Sequence, residues 1–141
     1  MAIHGLWRDG FIQINGTDLS DHAREIALDI GIAELPDNVH GDYVAKVRAG
    51  LEDWTITVTF LQDFAASKVD ATLISAGGSA GHPGFNVIVG GDKTTAVSAT
   101  NPRYSGSAIM SSYRPFGGPH GSNMEATATF RPAGRLTRQT A

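Results

Sequence analysis

Three segments of this sequence alternate apolar and polar residues with a period of two, and this pattern constrains the fold more than any other feature. A period of two is typical of a half-buried β-strand, because successive side chains point to opposite faces of the sheet. Residues 26–32 and 124–130 are two of these segments. In the third and clearest, residues 54–60, three threonines alternate with Trp54, Ile56, Val58 and Phe60. The chain is therefore predicted to be mainly β.

Weaker patterns complete the predicted sheet and add one helix. Short turns separate the strand candidates after residue 84, which favours an antiparallel meander. The weaker candidates are residues 11–14, 85–89, 94–100 and 107–113. A helical period covers residues 64–76, with Asp63 as the predicted cap and two glycines as the stop. We expect an antiparallel β-sandwich or half-barrel with one flanking α-helix.

The connection between the two best strands, residues 36–50, is much longer than a hairpin turn of two to five residues. Loops of this length in a compact domain are usually functional or mobile. No repeat or internal linker divides the 141 residues, so a single domain is predicted. Extended arms are expected at both ends, over about residues 1–10 and 132–141.

Composition and charge limit the classes of function. The chain has no cysteine, which rules out disulfides and thiolate chemistry. No secretion signal and no membrane-spanning stretch is recognisable, so we expect a soluble protein made in a cytoplasm. Residues 1–92 hold 13 acidic and 5 basic residues, whereas residues 93–141 hold 1 and 6. This asymmetry indicates either differently solvated faces or complementary surfaces that meet between subunits.

No catalytic, cofactor or metal site is predicted. Residues 77–81 fit the G-x-S-x-G pattern of a hydrolase, and Asp92 and His120 follow Ser79 in hydrolase order. However, the serine follows a predicted helix rather than a strand, which indicates a glycine-rich loop. Residues 90–94 lack the spacing of a phosphate loop, and the five histidines lack ligand spacing. The protein is therefore expected not to be an enzyme.

Several short motifs resemble those of one family when they are taken together. They are the Ile-Asn-Gly-Thr-Asp-Leu turn at residues 14–19, Gly-Leu-Glu-Asp at 50–53 before the best strand, Gln-Asp-Phe at 62–64, Asn-Pro-Arg-Tyr at 101–104, and the strand and tail over 126–138. In this order and spacing they are similar to the major tail tube proteins of siphophages. The glycine-rich segments 77–84 and 117–121 match no motif of that family.

The resemblance implies a structural role in the tail of a virion. Such subunits have a fold related to the tube of type VI secretion systems and form hexameric rings, which stack around a channel for DNA. The implied partners are other copies of the chain, the tape measure protein, the tail terminator and the distal tail protein, with assembly in the host cytoplasm. The threonines at 55, 57 and 59 would suit either a wet lumen or a polar outer wall.

Two groups of residues are hypothesised to make contacts between subunits. The resemblance implies that the long loop contacts the adjacent ring, through Asp37, His40, Asp42 and Tyr43. The basic C-terminal arm holds one sizeable apolar residue, so we expect it to need an external partner. Its contacts are expected to come from Arg131, Arg135, Leu136 and Arg138. The first candidates for their partners are the acidic residues Asp37, Asp42, Glu52 and Asp53 of a neighbour.

Two alternatives stay open at this point. The first is another virion protein, such as a capsid decoration or tail-completion protein, which would share the composition and the absence of recognisable chemistry. The second is a carbohydrate-binding β-sandwich, in which exposed aromatic residues would form a stacking platform. The candidates for such a platform are Trp7, Tyr43, Tyr104 and Tyr113.

Overall fold

The computed structural model describes residues 9–77 and 85–141, and within these ranges the chain forms eight strands and one α-helix. A short 3₁₀ turn at Ser20–His22 precedes the third strand. The strands are β1 (Phe11–Ile14), β2 (Thr17–Asp18), β3 (Ala23–Pro36), β4 (Val47–Leu61), β5 (Phe85–Gly90), β6 (Arg103–Arg114), β7 (Glu125–Pro132) and β8 (Thr137–Gln139), and the helix is α1 (Val69–Gly77).

All eight strands belong to one antiparallel sheet, in the order β2-β1-β5-β6-β7-β4-β3, with β8 paired to β6. Strands β5, β6 and β7 are consecutive neighbours, so the predicted meander is confirmed. The expected mainly β fold is confirmed in its half-barrel form, because the sheet is single and its two end strands, β2 and β3, do not pair with each other.

The core lies on one face of this sheet. Trp54, Ile56, Val58 and Phe60 are all buried, as their alternation predicts. Ile12 of β1 packs in the same cluster although three strands separate β1 from β4, so the sheet must curl around its core. Val69 and Leu73 of α1 fill the concave side. Burying a side chain such as Phe60 contributes about 1.5–3 kcal/mol.

The turn between β1 and β2 depends on backbone conformations that few residues adopt. Asn15 and Gly16 both have positive φ angles, of 49° and 83°. These values are typical of the two central residues of a type I′ turn, for which Asn-Gly is the preferred pair. The turn pairs Ile14 with Thr17. It therefore sets the local shape of the Ile-Asn-Gly-Thr-Asp-Leu motif at residues 14–19.

The predicted start of the helix is wrong, because α1 begins at Val69 and not at residue 64. The Asp63 carboxylate accepts a hydrogen bond from the Ala65 N–H at 2.9 Å, which forms a tight turn instead of a helix cap. Ser67 then has a φ of 61°, which a right-handed helix cannot include. The pKa of Asp63 is lowered by that N–H and by a side-chain contact with His22.

The weak strand candidate at residues 94–100 is also wrong. Asn101 is buried, and its side-chain amide donates hydrogen bonds to the carbonyl oxygens of Asp92, Thr95 and Ala96 at 3.0–3.3 Å. These bonds fold the segment into a compact loop, because one side chain satisfies three carbonyls that a strand would direct to a neighbour. The asparagine of the Asn-Pro-Arg-Tyr motif therefore organises the loop before β6.

The loop predicted at residues 36–50 is shorter in the structure, because strand pairing takes up its two ends. Pairing between β3 and β4 continues outward to Pro36 and Val47, so the connection is only residues 37–46. The register shifts between Ile32 and Glu34, where β4 carries one extra residue. This bulge interrupts the alternation, which explains why the sequence pattern did not reveal the outer part of the hairpin.

The expectation that the C-terminal arm lacks anchors of its own is wrong. Strand β8 pairs with residues 103–105 of β6. Because β5 already occupies one side of these residues, β8 lies on the other side, in continuation of β7. Leu136 packs against the core cluster. The arm is thus fastened to its own chain by backbone hydrogen bonds and one apolar contact.

Gly106 of β6 should not tolerate a larger residue. A Cβ atom there would lie 3.0 Å from Cζ2 of Trp54. Trp54 is buried, and its indole N–H donates to the Gly134 carbonyl at 3.1 Å, so the ring has little freedom to move. We expect Gly106→Val to lower the free energy of unfolding by about 1–3 kcal/mol in urea titrations.

The matched control is Gly31→Val, the same change in strand β3, where the nearest atom to a new Cβ is 3.9 Å away. This variant should be as stable as the parent or slightly more stable, because valine favours extended backbone. Equal stability of both variants would show that the indole can move aside and that Trp54 is less firmly packed than its contacts indicate.

Candidate assembly surfaces

The outer half of the β3–β4 hairpin projects beyond the core. We call residues 30–53 the projecting hairpin. The alternation on β3 is continuous, but Leu28 packs against the core whereas Ile30 and Ile32 are more than half exposed. The large apolar residues exposed along the hairpin are Ile30, Ile32, Leu35, Val39, Tyr43, Val44, Val47 and Leu51. So many exposed large apolar side chains on one projecting element indicate a candidate interaction site.

The hairpin tip, residues 37–46, has a defined structure. The Asp42 carboxylate accepts a hydrogen bond from the Val39 N–H and another from Lys46 Nζ, both at 2.9 Å. These two contacts, the first above all, lower the pKa of Asp42. The Asp37 N–H donates to the Lys46 carbonyl at 3.1 Å and closes the base of the tip. The tip therefore presents its side chains from a hydrogen-bonded turn.

The structure separates the four loop residues of the hypothesised stacking contact into two kinds. Asp37 forms an ion pair with Arg48 at 2.6 Å, and Asp42 holds the turn as described above. His40 and Tyr43 are exposed, and the Tyr43 ring is completely accessible. The acidic residues thus shape the tip, whereas His40 and Tyr43 are exposed, and their contact with an adjacent ring stays a prediction.

The basic residues of the C-terminal arm find acidic partners in their own chain. Arg135 makes two hydrogen bonds to the Glu52 carboxylate at 3.1 and 3.2 Å, and Arg131 pairs with Asp53 at 3.1 Å. Arg138 donates to a backbone carbonyl. Glu52 and Asp53 were the expected partners, but on a neighbouring subunit. Ion pairs within the chain therefore account for part of the charge asymmetry. A role of the arm between subunits stays a prediction.

The arm and the base of the hairpin together border an open cleft of about 650 Å³. Trp54 and Leu51 lie on one side, and residues 132–135 lie on the other. Among the residues that line the cleft, the titratable groups are Glu52 and Arg135, which form an ion pair with each other. Its chemistry is that of a packing surface.

A face of threonines lies opposite the core. The register places Thr57 beside Thr129 and Thr59 beside Thr127, so the side chains of β4 and β7 form one surface. We call it the threonine face, and it consists of Thr55, Thr57, Thr59, Thr127 and Thr129. On β3 it continues with Glu25, Ala27 and Asp29. The surface is polar: Arg131 of β7 is paired with Asp53, and Arg114 of β6 lies opposite Thr127 at its border.

The sheet ends on β3, whose outer edge pairs with no other strand of the described chain. An unpaired edge of fourteen residues exposes backbone donors and acceptors to any strand that approaches. This edge and part of the projecting hairpin belong to the same strand, so two features available for contacts with other chains lie next to each other.

A second exposed apolar surface was not identified from the sequence. The rings of Phe64 and Phe116 lie 5.6 Å apart between centroids and are 51% and 63% exposed. Met124 is also exposed, and its carbonyl accepts a hydrogen bond from the neighbouring Gln62 N–H. We call these three residues the aromatic patch. The sequence did not predict this surface, because Phe64 was assigned to the helix and Phe116 lies 52 positions away along the chain.

The residues considered for other chemistry do not converge in the described chain. Ser79 lies outside the described residues, Asp92 bonds to Thr94 and Thr95, and His120 is exposed in a loop. Of the aromatic residues proposed as a sugar platform, Trp7 lies outside the described residues. Tyr43 is at the hairpin tip, and the hydroxyl of Tyr113 donates to Asp70 at 2.8 Å near the other end of β4. Burial raises the pKa of Tyr113 to about 12.

Within residues 9–77 and 85–141, no group of three or more histidine, aspartate and glutamate side chains is arranged to hold a metal ion. The described helix α1 is too short to cross a membrane.

No protein-family model and no curated protein matches this sequence. Solved structures do match. A chain of the virion of a native gene transfer agent particle superposes with a TM-score of 0.70 at 14% identity, covering 94% of this chain and 96% of that chain. The tail of an empty gene transfer agent particle, solved with C6 symmetry, gives 0.61 at 17% identity, covering 85% and 83%. The SPP1 tail tube gives 0.68 at 12% identity, covering 94% and 76%.

These superpositions define the class of fold. The chain has the fold of tail tube proteins over nearly its whole length, as the sequence motifs had implied.

Proposed function

We propose that this chain is a structural virion protein that assembles into stacked hexameric rings and so forms the tube of a phage tail. The observation that carries the proposal is the projecting hairpin, which exposes eight large apolar side chains on a domain with the tail tube fold. Such a surface is unfavourable in water unless a partner covers it. The proposed role requires assembly and no catalysis.

Two surfaces support two kinds of contact. The outer edge of β3 is suited to lateral contacts, because pairing it with a strand of the next subunit would satisfy its backbone groups and close a ring. The projecting hairpin is suited to contacts between rings, with His40 and Tyr43 of the tip against the adjacent ring. The C-terminal arm, through Arg138 and the exposed side of β8, would add a contact with a neighbouring subunit.

The threonine face is proposed to line the lumen. The core occupies the other face of the same sheet, so this face is the one that remains for water. Hydroxyl groups and a few carboxylates do not hold the phosphates of passing DNA, whereas lysine and arginine would. Of the six basic residues after position 92, Lys93, Arg131 and Arg135 are ion-paired within the chain, and Arg114, opposite Thr127, is the basic residue that borders the threonine face on β6. This arrangement favours a channel through which DNA passes without specific binding.

The tape measure protein, the tail terminator and the distal tail protein are the further partners proposed for such a tube. The first would occupy the lumen before DNA, and the other two would cover the end rings. The protein would function in the virion tail after assembly in the host cytoplasm.

Purified protein is expected to form tubes or stacked rings without any added ligand. The physical reason is that both the free strand edge and the apolar hairpin gain partners only from other copies of the chain. Negative-stain electron microscopy at increasing concentration and sedimentation velocity would show these species. Monomers at high concentration, together with virions whose tails lack the protein, would contradict the proposed function.

A further inference from the structure

The projecting hairpin and the aromatic patch lie at opposite ends of one strand. Strand β4 begins at Val47, beside the hairpin tip, and ends at Leu61, three positions before Phe64. Its fifteen residues span about 50 Å. A single subunit therefore carries an apolar projection at one end and a separate exposed apolar surface at the other.

We propose that the aromatic patch is the acceptor for the hairpin tip of a second copy of this chain in the adjacent ring. The inference rests on the proposed function and names the surface that the hairpin would contact. A contact between two different surfaces of identical chains is head-to-tail. Because these surfaces point in opposite directions along β4, each contact leaves a free tip and a free patch, and stacking continues along an axis.

The chemistry of the two surfaces is complementary. The tip offers the fully exposed ring of Tyr43 with Val39 and Val44 beside it. The patch offers two tilted phenyl rings and the flexible side chain of Met124. Aromatic rings attract one another in tilted or offset arrangements beyond the effect of burying their area. Covering both surfaces would remove apolar area from water on each side of the junction.

The charges around the two surfaces are also complementary. The projecting hairpin, residues 30–53, holds five acidic and two basic residues. One of its acids, Glu34, forms no ion pair with any part of the described chain. At the other end of β4, Arg114 lies beside Phe116, against Gly117, and the ion pairs within 9–77 and 85–141 do not include it. An uncompensated cation next to the patch would attract an acidic hairpin.

The test uses two variants, each with one surface blocked. The tip-blocked variant carries Tyr43→Asp and Val44→Asp, and the patch-blocked variant carries Phe64→Ser and Phe116→Ser. All four side chains are at least half exposed, so both variants should fold like the parent by circular dichroism. The matched control is Ile109→Ser, which removes a comparably exposed apolar side chain on β6, away from both surfaces.

Each blocked variant alone should need at least about tenfold more protein than the parent before tubes appear, and the control should polymerise like the parent. Mixing the two variants should restore one junction, between the intact tip of one and the intact patch of the other. We expect the mixture to sediment as a species of twice the unstacked mass, without long tubes.

The outcomes separate the two proposals. If the parent forms no tubes, the proposed function fails. If the parent forms tubes and the patch-blocked variant does so at the same concentration, the hairpin has another acceptor and the inference is wrong. A mixture that shows only the two separate variants would also overturn it, because tip and patch would then not bind each other.

Discussion

Removal of the hairpin tip is expected to abolish tube formation and leave a folded subunit. The change replaces residues 37–46 by Asn-Gly, which joins Pro36 to Val47 where the two strands already pair. The tip contributes nothing to the core cluster, so thermal unfolding should stay close to that of the parent. Electron microscopy should show unstacked rings or smaller species at concentrations at which the parent forms tubes.

A milder variant separates the shape of the tip from its side chains. Asp42→Ala removes the acceptor of the Val39 N–H and Lys46 bonds but keeps Tyr43. We expect it to assemble more slowly than the parent, because the partner must order a looser turn, and yet to reach normal tubes. Normal tubes from the tipless variant would show that stacking does not depend on the hairpin tip.

A lysine on the threonine face is expected to block DNA passage without preventing assembly. Thr57 is flanked by Ala27 and Thr129, so Thr57→Lys adds a cation with no acid directly opposite. In a hexameric tube the change would place six cations in every ring, and each contact with phosphate would hold the DNA back. Virions carrying the variant should have tails of normal length and infect at least about tenfold less well.

Thr57→Gln is the matched control, since it lengthens the side chain and stays neutral. Its virions should infect like the parent. Plaque counts against particle counts by electron microscopy would measure both variants. Equal infectivity of the lysine variant would place the threonine face on the outer wall of the tube, which is the alternative that the sequence had left open.

Much of the sheet was predictable because alternation is a local property. Trp54 through Phe60 show which face of β4 is buried without any knowledge of the neighbours. The outer hairpin and the helix start were not predictable in this way. A bulge between Ala49 and Glu52 broke the period in one case, and a positive φ at Ser67 broke the helix in the other. Both are single-residue events that side-chain patterns do not record.

The candidate assembly surfaces were only partly accessible from the sequence. The motifs implied that the segment around Tyr43 was important, and the structure places that ring completely in solvent. The aromatic patch depends on Phe64 and Phe116 meeting across the end of the sheet. No spacing rule connects these two positions, because the contact is created by the connection between β6 and β7 returning beside the end of β4.

The sequence by itself determined the strand character and the buried face of residues 54–60 and 126–130, since these follow from the identity and period of neighbouring residues. Only the tertiary structure decided where burial stops. Leu28 and Ile30 belong to one alternation, yet the first packs on the core and the second does not. Likewise Arg135 meets Glu52, 83 positions away, within its own chain. Burial and charge pairing depend on which distant segments the fold brings together, and that information is not local.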